Sequence, residues 1–304
     1  MQIFVIKLLK DLRTNRTIYF MLLPVLAYYL IFQYGPMYGL QIAFKDFIPA
    51  KGFIGSPWVG FKHFEEFFGS VYFGRILKNT LLLSLYSLVF FFPAGIIFAL
   101  LLNEIKGHVF RRAVQTISYM PHFISMVVIV GMMFDFLARD GMINHLLELI
   151  GLEPISFMRT PGWFRTTYIS SDIWQNIGWS SIVYLAAISS INPSLYEAAR
   201  MDGASRWRQI WHVTLPGIMP TVTIMFILFI GKFMTVGFEK IILMYNPVIY
   251  ETADVIQTFV YRKGILEANY SYSAAVGLFN AAISFTLLIV ANMTAKRLGD
   301  TKLW

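Results

Sequence analysis

The side chains best able to do chemistry in this sequence are sparse, and their spacing excludes more than it supports. Five histidines stand at positions 63, 108, 122, 145 and 212, too scattered to build a metal site, and they read as structural. Cysteine is absent, which removes disulfides, thiolate ligands and cysteine nucleophiles. A phosphate-cradling loop needs G-x-x-x-x-G-K-[ST]. Here Gly231-Lys232 stands alone and runs into Phe233-Met234, so the chain has no ATP site of that kind. Two groupings remain. Asp172, Trp174, Asn176 and Trp179 combine aromatic faces with hydrogen-bonding groups, the mixture that holds a sugar ring, and Asn280 offers a further amide.

The second grouping is the segment 191–216. Asn192 and Pro193 end one helix, and Ser194 is placed to cap a short helix containing Glu197, Ala198 and Ala199. Gly203 permits a sharp turn. A second short helix is expected from about 205 to 213, with Trp207, Ile210 and Trp211 on one face, before Leu215-Pro216 opens the next long element. Two helices joined by small residues make a compact knob suited to a cleft on a partner. By composition alone the same segment also fits a surface helix lying among lipid headgroups.

The elements that position these residues follow from composition. Of 304 residues, 57% are hydrophobic, 17% aromatic and 14% charged, and mean hydropathy is +0.61. That leaves too little polar surface to coat a water-soluble globule. Six stretches lack Asp, Glu, Lys and Arg: 17–44, 79–103, 113–134, 173–196, 209–231 and 268–295, each of at least 22 residues. About 20 apolar residues suffice to cross a bilayer as a helix, and a charge at its centre costs at least ~2.5 kcal/mol. The sequence therefore predicts an all-α integral membrane protein in one domain, 1–304, with six transmembrane helices. The expected spans are near 17–38, 79–103, 113–134, 173–193, 215–231 and 273–295, with a cytoplasmic loop at 194–214. Pro24, Pro93 and Pro121 fall within charge-free stretches, where neighbouring helices tolerate kinks. The segments 61–68 and 142–150 are amphipathic candidates in the longer loops.

Orientation comes from the basic residues. With the amino terminus inside, the inner segments hold 13 Lys and Arg in 46 residues, and the outer segments hold 12 in 108. Both termini are thus expected in the cytoplasm. The outer basic residues are balanced by 12 acidic ones, so the formal charge of +8 is topological and does not indicate nucleic acid. The spans carry no carboxylate in their interiors, which argues against an ion-coupled carrier.

The order Glu197-Ala198-Ala199, Asp202-Gly203-Ala204, Ile210, Val213 and Leu215-Pro216 resembles the E-A-A loop of binding-protein-dependent ABC importer permeases. Val213 departs from the more usual Ile. Tyr34-Gly35-Pro36-Met37-Tyr38-Gly39, Gly55-Ser56-Pro57-Trp58-Val59-Gly60, Ser118-Tyr119-Met120-Pro121-His122, Ser171-Asp172-Ile173-Trp174 and Ala275-Val276-Gly277-Leu278-Phe279 look like the oligosaccharide and polysaccharide-fragment branch of the maltose-type carbohydrate uptake family. The resemblance implies a type I permease fold in a bacterial cytoplasmic membrane. It also implies a homologous second permease, two copies of an ATPase that bind ATP and Mg, an extracellular solute-binding protein and an oligosaccharide substrate, all within membrane lipid. No cofactor is implied on this chain. Glu197, Ala198, Ala199, Asp202, Gly203, Ala204, Leu215 and Pro216 would form the ATPase-docking element. The rival readings are an ATP-independent secondary carrier, a structural membrane subunit and a membrane-embedded enzyme. For Trp174 and Trp179 the rival role is anchoring at the membrane interface.

Overall fold

The computed structural model describes residues 14–298. Lys7, Lys10, Arg13 and Lys302, which weigh in the expected orientation, lie outside them. Among the described residues the chain is helical, and its one β-type pairing is the bridge Lys45–Trp58. The elements used below are α1 (Arg16–Phe44), α2 (Lys62–Phe68), α3 (Phe73–Glu104), α4 (His108–Tyr119), α5 (Met126–Phe136) and α6 (Met142–Leu149). They continue with α7 (Phe164–Ser189), α8 (Pro193–Met201), α9 (Arg206–Gly231), α10 (Phe238–Met244), α11 (Ile256–Tyr261) and α12 (Tyr270–Leu298). The amphipathic candidates at 61–68 and 142–150 correspond to α2 and α6.

Four helices, α1, α3, α9 and α12, are long and apolar enough to cross a membrane. The stretch expected as the third span, 113–134, with a tolerated kink at Pro121, is broken more sharply than a kink. The helix His108–Phe123 meets α5 at 103°, and counting that pair as one span gives five. Pro121 sits in a 3-10 turn that closes the first piece, and Ile124 and Ser125 are extended, which ends the helical ladder there. The fourth expected span lies in α7, which has 26 residues. Its Thr, Ser, Asp, Asn and Gln side chains lower its hydropathy, and several of them, Thr167, Gln175 and Ser181, are packed inside the protein.

Three of the prolines within the long helices α1, α3 and α9 are accommodated by a local change of hydrogen-bond register. The wide turns Leu30–Tyr34, Ser87–Phe91 and Ile210–Thr214 are π-helical, and each ends two residues before a proline: Pro36, Pro93 and Pro216. A proline ring collides with the carbonyl four residues earlier and supplies no N–H. That carbonyl falls inside the wide turn in all three cases, so the ladder shifts register and continues. The short helix expected at about 205–213 and the α-helical stretch expected from Leu215-Pro216, which runs Leu215–Gly231, are joined end to end by the wide turn Ile210–Thr214. Both motif residues lie within the continuous helix α9.

By packing, the described residues divide into two units: 14–67 with Lys263–Leu278, and Phe68–Arg262 with 279–298. In the first unit, α1 buries none of its apolar window. Lys45, just beyond it, is almost fully buried, donates to the Phe53 carbonyl and lies over the Trp58 ring. In the second unit α7 is central and packs on α3, α4 and α9. One apolar cluster gathers Leu83, Ile129, Phe164, Tyr168, Ile241 and Met244; another gathers Ala99, Leu102, Tyr184, Ile188 and Ile218.

Small residues set the approach of these helices, as expected where lipid offers no hydrophobic drive between them. A Cβ on Gly95 would lie 2.5 Å from Ser180 Oγ. A Cβ on Gly178 would collide with the Ser118 carbonyl, which is backbone and cannot rotate away. Gly178→Ala is therefore expected to destabilise the protein by about 2 kcal/mol, read as a lower thermal midpoint in detergent. An unchanged midpoint would contradict the close approach of α4 to α7.

Candidate functional site

The knob at 192–214 is built from two local devices. Asn192, rather than Ser194, caps α8: its side-chain oxygen accepts from Ser194 N at 3.0 Å, with Pro193 at the first helical position. The far end closes as a Schellman motif. Gly203 has φ +72°, its N–H donates to the Arg200 carbonyl at 3.0 Å, and the Ala204 N–H donates to the Ala199 carbonyl at 2.8 Å. The spacing of Ala199, Gly203 and Ala204 is thus a helix stop. Position 203 needs a left-handed backbone, and the two alanines occupy the positions that the motif brings together.

The knob is braced at its base and bare at its tip. Tyr196 Oη and Thr214 Oγ1 are 3.0 Å apart, Gln209 Nε2 donates to the Ala204 carbonyl at 2.8 Å, and Arg206 pairs with Glu104 at 3.3 Å. Ala199, Ala204 and Leu215 are half-buried, whereas Glu197, Ala198, Asp202, Gly203 and Pro216 are exposed. Around them Leu195, Trp207 and Trp211 are exposed, and Met201 is 88% exposed at the turn. Such an arrangement does no covalent chemistry. It presents a rigid, partly apolar projection.

The other grouping resolves into a polar chain on one face of α7. Asp172, Asn176 and Trp179 are spaced i, i+4 and i+7 and share that face. Trp174, 47% exposed, falls on another. Asn176 Nδ2 donates to Asp172 Oδ1 at 3.1 Å, and its Oδ1 lies 2.9 Å from His122 Nδ1, which donates when the ring is protonated there. The His122 ring stacks on Trp179, with centroids 4.5 Å apart and planes within 5°, and Phe123 meets the same indole edge-on. At the other end Lys240, only 1% exposed, places Nζ 3.6 Å from Asp172 Oδ1 and donates to the Tyr168 carbonyl at 3.2 Å. Burial pulls the Lys240 ammonium below its usual range, and the Asp172 carboxylate opposes that shift. The Tyr168 phenol oxygen accepts from Gly237 N at 3.1 Å, which fastens the start of α10 to α7.

Asn280 stands apart from these contacts. Its carbonyl accepts from Ser284 Oγ, and its side-chain oxygen is buried without a hydrogen-bond partner among the described residues. His122 and Lys240 are members of the polar chain that sequence reasoning misses. Lys240 does carry a readable signal, since it shares a short apolar helix with Ile241 and Met244 and its ammonium there requires an anionic partner. His122 carries none beyond its place after Pro121. Among the described residues no group of three or more His, Asp and Glu could hold a metal.

Residues 92–300, more than half of the chain, match the family model described as "Binding-protein-dependent transport system inner membrane component". The chain is 45% identical over 295 residues to the polygalacturonan/rhamnogalacturonan transport system permease protein YteP of Bacillus subtilis (strain 168), covering 97% of this chain and 92% of that one. It is similar, at 48% identity and a TM-score of 0.89, to a chain of a bacterial ABC transporter involved in the import of the acidic polysaccharide alginate, covering 96% and 99% of the two chains. A second structure, the alginate transporter in complex with an alginate pentasaccharide-bound periplasmic protein, matches at 47% identity and a TM-score of 0.90, with 97% and 99% covered. The residues matched by the family model, 92–300, include both the knob and the polar chain. The chain therefore belongs to the binding-protein-dependent inner membrane component family, as a multi-pass, non-catalytic permease subunit of an ABC importer whose ATPase is a separate chain.

Proposed function

We propose that this permease forms half of the translocation pathway for an oligosaccharide in the bacterial cytoplasmic membrane, with both termini inside and six membrane crossings. The broken pair α4 and α5 makes the third crossing and α7 the fourth. A homologous second permease supplies the other half of the pathway. An extracellular binding protein delivers the substrate, and two copies of a separate ATPase hold ATP and Mg. The observation that supports coupling is the knob: a braced turn whose apolar tip is uncovered. An ATP-independent carrier gives that tip no role. As the ATPase dimer closes, the knob moves with it as a rigid body and rocks α7 and α9, alternating access between the two sides.

The polar chain is the favoured substrate contact. The indole of Trp179, 45% exposed and held from one side by His122, offers an aromatic face, and Asn176 and Asp172 offer hydrogen bonds beside it. Trp174 faces elsewhere and fits an interface anchor or a second-permease contact. Support for a fragment of an acidic polysaccharide as the cargo comes from the likeness to the alginate importer and to YteP. Trp179→Ala is expected to lower uptake about tenfold, by loss of a stacked contact, with assembly of the complex unchanged. The test of the whole reading is reconstitution with the second permease and the ATPase. ATP hydrolysis should rise when a sugar-loaded binding protein is added, and no association with the ATPase would overturn it.

A further inference from the structure

The second unit carries an open cavity of about 890 Å³, lined by residues of the segments 134–139, 156–159 and 244–248 and by none of the polar chain. Its charged lining groups are Arg139 and Arg159. Neither guanidinium has an ion-pair partner among the described residues. Ser156 and Asn246 add hydrogen-bonding groups, and Phe134 and Met158 give an apolar wall.

The backbone segments that carry the two exposed arginines are tied together by one buried amide. Asn144 in α6 is 0% exposed; its Nδ2 donates to the Ala138 carbonyl at 2.7 Å and to the Ile155 carbonyl at 2.9 Å. Its Oδ1 accepts from Ile155 N at 2.8 Å. The residue before Arg139 and the turn leading to Arg159 are thereby tied together. Opposite, Asn246 Nδ2 donates to the Met158 carbonyl at 3.3 Å and its Oδ1 accepts from Val248 N at 3.1 Å, so the third wall is fastened to the same turn. A preformed site with two unpaired guanidiniums, amide and hydroxyl groups and an apolar wall suits a planar carboxylate on a sugar ring.

We propose that this cavity is an outer-face subsite for carboxylate-bearing sugar units, with Arg139 and Arg159 as the selecting cations. The proposal rests on the oligosaccharide permease reading above. Arginine–carboxylate pairs form here before the sugar reaches the membrane-embedded contacts, and neutral sugars gain nothing from them.

The test uses the permease complex in lipid nanodiscs, without binding protein, titrated by calorimetry with trigalacturonate and with a neutral galactose trimer. The unmutated complex should bind the acidic trimer more tightly, and the preference should shrink as salt rises from roughly 50 to about 300 mM. Arg139→Gln with Arg159→Gln should weaken the acidic trimer about tenfold and leave the neutral one unchanged. Arg139→Lys with Arg159→Lys should fall between. Equal binding of the two trimers, no binding of the acidic one, or indifference to the double Gln variant would each overturn the subsite. If binding-protein-stimulated ATP hydrolysis persists in that case, the permease reading stands without the subsite. If no stimulated hydrolysis is found, both fail.

Discussion

Gly203→Val is expected to cut ligand-stimulated ATP hydrolysis and uptake at least about tenfold while membrane insertion stays normal. The reason is local. Position 203 has φ +72°, and no atom lies within 4 Å of where a Cβ would stand, so the obstacle is backbone strain and not crowding. A left-handed residue costs roughly 1–2 kcal/mol for an ordinary side chain and more for a β-branched one. Valine should escape that strain by releasing the bonds from Gly203 to Arg200 and from Ala204 to Ala199, which opens the turn and re-aims Met201. Because the turn lies outside both apolar clusters, the rest of the protein should fold. Gly203→Asn is the discriminating control, since Asn tolerates this conformation and should keep most of the activity. Uptake and ATP hydrolysis assays on the reconstituted complex check both variants, and normal activity of the Val form would contradict a rigid coupling turn.

The second large effect is on stability. Asp254 is fully buried between α3 and α11, where its carboxylate takes Arg262 Nη2 at 2.7 Å and Nη1 at 3.2 Å, with Arg75 at 3.7 Å. Thr258 Oγ1 also donates to it at 3.0 Å, and Asn79 Nδ2 donates to its backbone carbonyl at 3.0 Å. Removing this carboxylate leaves the Arg262 guanidinium, largely out of water, with no counter-charge. Asp254→Ala should therefore cost about 3 kcal/mol or more, equivalent to a fall of roughly 10 °C in Tm. Pairing it with Arg262→Met removes the stranded charge and should recover much of the loss. A thermal scan in detergent decides this: an unaltered midpoint for Asp254→Ala would show that the ion pair does not hold the unit together.

Much of this architecture is legible in the sequence because a bilayer responds directly to charge and length. Four of the six charge-free stretches fall on α1, α3, α9 and α12, and the capped turn at 192–204 follows from Asn, Pro and Gly at positions whose chemistry is local. Proline is where residue types say least. Pro121 reads as a tolerated kink and marks a 103° break, while Leu215-Pro216 reads as a start and lies within a continuous helix. The difference lies in the surrounding backbone, a wide π turn before Pro216 and a 3-10 turn around Pro121, and a hydrogen-bond register is not visible in residue types. The polar chain is half legible. Helical spacing aligns Asp172, Asn176 and Trp179, but Lys240 and His122 join them through tertiary packing between segments distant in sequence.

Site-directed crosslinking tests the coupling claim most directly, because the chain has no native cysteine. Met201→Cys places a single thiol on the exposed tip of the knob. In the assembled complex it should form a crosslink to the ATPase subunit with a short bifunctional reagent, and the yield should change between nucleotide-free and ATP-bound states. A complex that assembles and hydrolyses ATP yet gives no crosslink from position 201 would contradict the account.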